Sequence, residues 1–286
     1  MKYVLGVGFV LMVLPFSPIG VTINGARAWA EIGPVRFQPS EILKVAVLLY
    51  CASVLGRRRK EMENAQRTFW PIAAVWLVSA ALCMIQKDFG AAIVFTCVIL
   101  STMFVAGTPL RLIGTIGAVT VLGSVVAISA SSRMQQRFLS FLDLQENKGH
   151  SAYQVWQSIL SISNGGITGV GAGRGTGKWG YVPLAHSDFI FAIVAEEFGL
   201  IGSTMVIGLF LALALLGIQV ALRARDPFGA ILAGGITTWL CIQATINIGG
   251  VIGALPVTGL TLPFISYGGS SLFMVMAASG LLLNVA

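Results

Sequence analysis

The chain has 286 residues, of which 56% are hydrophobic and only 10% charged, with a mean hydropathy of +0.86. Soluble domains carry about a quarter charged residues, so this composition excludes a water-soluble fold and places the chain in lipid. The net charge of +7 is spread between apolar runs, where Lys and Arg set topology against anionic headgroups, and it implies membrane lipids and no nucleic acid as partners.

The first twenty residues pair a Lys with an apolar run, as a signal sequence does, but no convincing small-x-small cleavage site follows. They read as a retained span. A bilayer core of about 30 Å takes roughly 20 helical residues, and eight stretches are apolar enough: 3–19, 41–56, 70–86, 89–106, 110–130, 196–222, 229–250 and 267–285. Because lipid offers no hydrogen bonds to exposed backbone, each stretch must be helical. The expected fold class is therefore all-α, a polytopic transmembrane helix bundle forming a single domain over 1–286. All four cysteines, Cys51, Cys83, Cys97 and Cys241, fall inside apolar stretches without a C-x-x-C pair, which makes them packing residues.

The dense basic cluster Arg57-Arg58-Arg59-Lys60, with Arg67, marks the cytoplasmic side. Alternation then turns segments 20–40, 131–187 and 251–266 outward. The long outward loop, 131–187, is not a linker: Tyr153, Trp156, Ile159 and Leu160 in SAYQVWQSILSI (151–162) space like one apolar face of a helix lying on the membrane surface. NGGITGVGAGRGTGKWG (164–180) follows, so rich in glycine that the backbone must turn repeatedly or pass close to something. It is not a phosphate loop, since Ala172 stands where a Walker A motif needs glycine and Trp179 where it needs a hydroxyl; the G-x-G-x-x-G at 175–180 lacks a preceding strand.

Charge within or beside a span is more informative, because it costs on the order of 3 kcal/mol or more in hydrocarbon unless paired or wet. Glu41 and Lys44 stand one turn apart at the start of a span, Asp88 lies between two spans, and Glu196-Glu197 interrupt an apolar run. An interhelical ion pair such as Lys44 with Asp88 is the simplest structural use of these residues. Asp188 differs. It follows His186 and Ser187 where the glycine-rich loop re-enters the membrane, with Phe189 and Phe191 behind it. Partial burial raises such a carboxylate toward the range of a general base, whereas Lys178 or Arg174 nearby would lower it. An N-cap role for a helix starting at Phe189 is equally compatible with the sequence. Near the end of the chain, NIGGVIGALPVTGLTLPFISYGGSS (247–271) combines Pro256, Pro263 and paired glycines, a broken and partly re-entrant loop that should line a cavity.

Several of these segments together resemble the SEDS family of bacterial cell-wall proteins (FtsW, RodA, SpoVE), over essentially the whole chain. The matching residues are NGARAW (24–29), FQPSEILK (37–44), QKDFG (86–90), Tyr153-Gln154 with Gln157-Ser158, AHSDFIFAIVAEEFG (185–199) and NIGGVIGALPVTGLTLPFISYGGSS. The wording around Asp188 and the G-L-T-L-P-F run look most like the division branch, FtsW. Against the family's usual ten spans, Met1 begins at what resembles the third, so two N-terminal helices are expected to be missing. Arg27 is separated from Trp29 by Ala28 where the family usually puts Arg directly before Trp, Lys87 replaces a usual Pro, and Leu184 replaces a usual Glu.

The resemblance implies a multi-pass protein of the bacterial cytoplasmic (inner) membrane that polymerises lipid II, a disaccharide-pentapeptide on undecaprenyl pyrophosphate, at the outer face during septal wall synthesis. Asp188 matches the family's essential aspartate, with the implied role of general base toward the acceptor 4-hydroxyl and inversion at the anomeric carbon. Basic residues, or a divalent cation (Mg or Mn), would have to neutralise the leaving pyrophosphate. Lys44, Lys178 and Arg27 are the candidates, with His186, Ser187, Tyr153 and Gln157 as further substrate contacts; no protein metal ligands are expected. The implied partners are a class B penicillin-binding protein and other divisome proteins. A lipid II flippase and a non-catalytic scaffold are the competing functions.

Overall fold

The fold is that of a computed structural model whose description covers residues 1–23, 25–144 and 152–286. Asn24, the first residue of the NGARAW segment, and 145–151 within the long loop lie outside the described residues. Eight helices match the eight expected spans: α1 (Lys2–Val13), α2 (Pro39–Arg57), α3 (Phe69–Ile85), α4 (Phe89–Val105), α5 (Leu110–Ala130), α8 (Ile190–Arg223), α9 (Pro227–Val251) and α10 (Gly269–Val285). Two more, α6 (Ser132–Leu142) and α7 (Tyr153–Gly165), fall inside the long loop. Helices α2, α5, α8 and α9 are long and apolar enough to cross a membrane, and α1, α3, α4 and α10 are shorter apolar helices. The exposed valines and leucines of α5 and of the second half of α8 would aggregate in water and suit a lipid-facing surface.

A small antiparallel sheet was not anticipated between α1 and α2. It orders β1 (Gly20–Ile23), β2 (Ala26–Ile32) and β3 (Val35–Phe37) with Ala30 opposite both Gly20 and Phe37. The period is written in A-R-A-W-A, where Ala28 and Ala30 turn inward. Alternation of alanine with large residues is too weak a contrast to announce a strand from sequence.

The chain divides into two compact units, 1–120 with 214–242 and 269–286, and 121–213 with 243–268. In the first, Leu43, Val47, Leu48, Cys51, Leu55, Ile72, Phe95, Ile99 and Trp239 form a fully buried core. Small residues admit close helix approach there: a methyl at Gly235 of α9 would press into Leu48 and Thr102.

In the second unit, α8 breaks at Gly199 (φ 64°, ψ −157°). The break frees carbonyls before it and amides after it, and the glycine-rich loop takes both sets. Val170 N donates to Glu196 O (3.0 Å) and Gly171 N to Glu197 O (3.1 Å), while Leu200 N donates to Gly166 O (2.9 Å) and Ile201 N to Ile167 O (3.2 Å). Backbone must approach backbone for this exchange, and a side chain at Gly165, Gly169 or Gly199 would collide with the opposite strand of contacts. The glycines of the loop are thus explained by close approach.

Helix α7 packs against its neighbours by a face other than the apolar one. Its buried stripe is Val155, Ser158, Ser161 and Gly165, while Tyr153 and Leu160 are exposed. Ser158 Oγ donates to Val251 O at the end of α9 (2.7 Å). Small residues win this face because Gly165 lies directly on the Ala195 carbonyl of α8, and larger apolar groups do not fit so near a neighbouring backbone.

Gly199→Ala places a Cβ in a backbone region that only glycine adopts freely and into the Gly169 and Ile167 backbone. It should lower stability by roughly 3 kcal/mol or more, read as a fall in melting temperature of the detergent-solubilised protein. Gly208→Ala, in the same helix but with open space at its Cβ, should be neutral or stabilising by up to about 1 kcal/mol.

Candidate active site

Asp188 stands between a tight turn and the start of α8. The turn is built on Leu184, a non-glycine residue at φ 56°, whose carbonyl accepts from Ser187 N (3.0 Å), Phe189 N (3.3 Å) and Ser187 Oγ (3.3 Å). Left-handed backbone at a leucine costs on the order of 1 kcal/mol and persists only where surroundings enforce it. Behind Asp188, Phe189 is fully buried in a cluster with Val155, Phe191, Ala192, Val251 and Leu262. The helix itself begins at Ile190, so Asp188 sits one residue ahead of the N-cap position suggested for it.

Three successive carbonyls of this segment are held from one side. Tyr267 N donates to His186 O (2.9 Å), Ser266 Oγ to Ser187 O (2.6 Å) and Asn247 Nδ2 to Asp188 O (2.8 Å). Asn247 Nδ2 also reaches Leu260 O (2.6 Å), and Leu262 N donates to Ser266 Oγ (2.7 Å). The broken C-terminal loop is thereby stitched along the backbone that carries the carboxylate. Asp188 lines a small pocket with Asn247, Gly250, Thr258, Gly259 and Leu260. Gly259, at φ 78°, leaves room beside the Asp188 carboxylate.

Burial pushes the Asp188 carboxyl up to about 6, against the hydrogen bond from Ser187 and the positive fields of Arg137 and His186. The opposing charges are not Lys178 and Arg174, to which the sequence points. Lys178 is committed to Glu197 (2.7 Å) and lies beside the Trp179 ring. Arg137, on the amphipathic α6, donates to Val257 O (3.3 Å).

The two acidic residues of α8 hold the glycine-rich loop by their side chains. Buried Glu196 accepts from Asn164 Nδ2, Thr176 N, Thr176 Oγ1 and Gly177 N at 3.0–3.1 Å, and Glu197 accepts from Gly173 N (2.9 Å) as well as Lys178. Tyr153 is exposed and Gln157 half-buried on α7.

The remaining sequence candidates belong to the first unit. Lys44 is fully buried, 2.8 Å from the Glu41 carboxylate and 4.8 Å above the Trp239 ring. Asp88 caps α4 through Ala91 N (3.1 Å) and accepts from Gln38 Nε2 (2.7 Å), while Lys44, salt-bridged within α2 to Glu41, also acts on Asp88 through its charge. Arg27 binds the Pro15 and Ser17 carbonyls (2.8 and 3.3 Å) at the end of α1.

Asn247, Ser266 and Arg137 are site residues that sequence reasoning missed. Asn247 and Ser266 lie 59 and 79 residues from their partners, and no local pattern connects them. The amphipathic character of α6 was the available signal for Arg137.

The family model for the FtsW, RodA and SpoVE cell cycle proteins matches residues 1–286. The chain is 42% identical to a probable peptidoglycan glycosyltransferase FtsW of Coxiella burnetii, covering 99% of this chain and 77% of the relative. It is 38% identical to the stage V sporulation protein E of Bacillus subtilis, covering 99% and 78%. Among solved structures, a chain of a peptidoglycan synthase complex that coordinates polymerization and crosslinking superposes with a TM-score of 0.83 at 30% identity, covering 99% of this chain and 80% of that one. The rod shape determining protein RodA of Thermus thermophilus gives 0.67 at 29% identity, covering 99% and 79%.

Because Asp188 titrates near 6 in the fold against 3.8 when free, the unfolded chain loses the proton first. The folded state is therefore stabilised below pH 4, loses that stability as pH rises to about 6, and changes no further above it from this group. Asp188→Asn should remove this dependence and melt higher than wild type at pH 7, as thermal scans from pH 4 to 7.5 will show. Asn247→Ala should cost about 2–4 kcal/mol, since two carbonyls lose their donor, measured by the same scans.

Proposed function

The chain belongs to the FtsW, RodA and SpoVE family of cell cycle proteins, and on that premise we propose that it is a peptidoglycan glycosyltransferase of the bacterial inner membrane that polymerises lipid II for septal wall synthesis. The observation that carries the reading is Asp188: a carboxylate held rigidly through three backbone carbonyls, half-buried, and titrating near 6. Such a group is ionised at neutral pH and yet more basic than an ordinary carboxylate, which is the property a general base requires.

In this reading Asp188 takes the proton of the acceptor sugar's 4-hydroxyl as that oxygen attacks the donor's anomeric carbon. One C–O bond forms, the bond to undecaprenyl pyrophosphate breaks, and the configuration inverts. Arg137, whose charge already acts on Asp188, is the first candidate to stabilise negative charge near that step, ahead of Lys178, whose ammonium is neutralised by Glu197. Among the described residues no group of three or more His, Cys, Asp and Glu gathers into a metal site.

The site faces the extracytoplasmic side, where loop 131–187 lies by the positive-inside rule. A class B penicillin-binding protein is the proposed partner, as the likeness to a polymerization and crosslinking complex supports. The buried Lys44–Glu41 pair and the broken α8 are features that lipid transporters also use, so a flippase is the second reading.

Purified protein with its transpeptidase partner should lengthen glycan strands from fluorescent lipid II. Asp188→Ala should lower the rate by at least about 10²-fold while the protein stays folded and partner-bound, and the wild-type rate should rise with pH to half its maximum near 6. Normal polymerisation by Asp188→Ala would remove the catalytic assignment, and lipid II translocation without elongation would favour the flippase.

A further inference from the structure

Next to the carboxylate, two rings stand in the open. Tyr267 is 79% exposed, and its ring packs edge-to-face on the exposed His186, with centroids 5.9 Å apart and planes at 67°. A tyrosine so exposed contributes little to packing, yet its backbone is bonded in place. Tyr267 N is bonded to His186 O, and the residue before it, Ser266, accepts from Leu262 N and donates to Ser187 O. The rings are therefore held in a fixed relation to Asp188, two residues beyond His186. His186 packs against the tyrosine ring, most of whose surface stays open.

From this geometry we infer that Tyr267, steadied by His186, is a sugar-binding platform on which a pyranose ring of the glycan substrate stacks beside Asp188. The physical match lies in charge distribution. One face of a pyranose presents carbon-bound hydrogens with partial positive charge, and the face of an aromatic ring is negative. Stacking leaves the sugar's hydroxyls free at the rim, where a carboxylate can reach one of them. An interfacial tyrosine anchoring the protein among lipid headgroups would also be exposed, but that role does not call for the backbone to be bonded to the segment carrying a reactive carboxylate. The inference rests on the glycosyltransferase reading, and the rings extend the site by one subsite whose ligand class is carbohydrate.

Two measurements separate the platform from that reading. In the complex with its transpeptidase partner, Tyr267→Leu should raise the KM for lipid II about tenfold, the scale of one aromatic stacking contact, with a much smaller change in kcat, and Tyr267→Phe should restore the wild-type KM. Equal KM for Tyr267→Leu and wild type would overturn the inference, as would a Tyr267→Phe variant as impaired as Tyr267→Leu, which would assign the effect to the hydroxyl. In the Asp188→Asn background, where chemistry is removed, a soluble glycan-backbone oligosaccharide without lipid or pyrophosphate should bind by calorimetry, and Tyr267→Leu should weaken that binding about tenfold. Because this second measurement needs no turnover, it tests the platform even if wild type fails to elongate strands. Binding of the oligosaccharide unaffected by Tyr267→Leu, or binding that requires the polyprenyl chain, would assign the ring to lipid and overturn the proposal.

Discussion

Backbone polar groups within a bilayer have no solvent to turn to, and the break in α8 is where that constraint acts most strongly on this chain. An interrupted helix leaves carbonyls on one side and amides on the other without partners, each costing several kcal/mol in hydrocarbon. Segment 166–171 supplies both, and the Glu196 and Glu197 side chains extend the same fastening to residues 173–178. The glycine-rich loop is thus the missing half of a helix's hydrogen bonding. Its position is dictated by the break, and the segment that follows leads directly to Asp188.

The carboxylate's environment follows from that anchoring. With the loop fixed on α8 at one end and the C-terminal loop stitched along residues 186–188 at the other, the strained turn at Leu184 has no way to relax. Asp188 is held half-buried at an energetic cost, which appears as its raised pKa. A group that weakens the fold when ionised suits the general-base role proposed for it.

Charge in the first unit is treated differently. Lys44 and Glu41 satisfy each other within one turn of α2, with the Trp239 face over the ammonium, so the pair brings its own neutralisation into the apolar core. Asp88 serves as a helix cap with Gln38 as its donor. Buried ions of this kind tolerate the loss of one partner poorly, because the other is left uncompensated.

Eight apolar helices and their approximate bounds were legible in the sequence, because a bilayer imposes a length and an apolarity on every crossing. Close approach was also readable in the run of glycines, though not what they approach. The small sheet was not, since alternating alanines give almost no hydrophobic contrast. The protein-facing side of α7 was not legible, because periodicity identifies the apolar side of a helix, whereas steric room against a neighbouring backbone selected the side with Ser158, Ser161 and Gly165. Only the tertiary structure could bring Asn247, Ser266 and Tyr267 to the carbonyls of residues 186–188, or set Arg137 rather than Lys178 against Asp188. Those pairings join residues some 50 to 80 positions apart. They are decided by how backbone groups find partners once the chain has folded, a property that no local stretch of sequence contains.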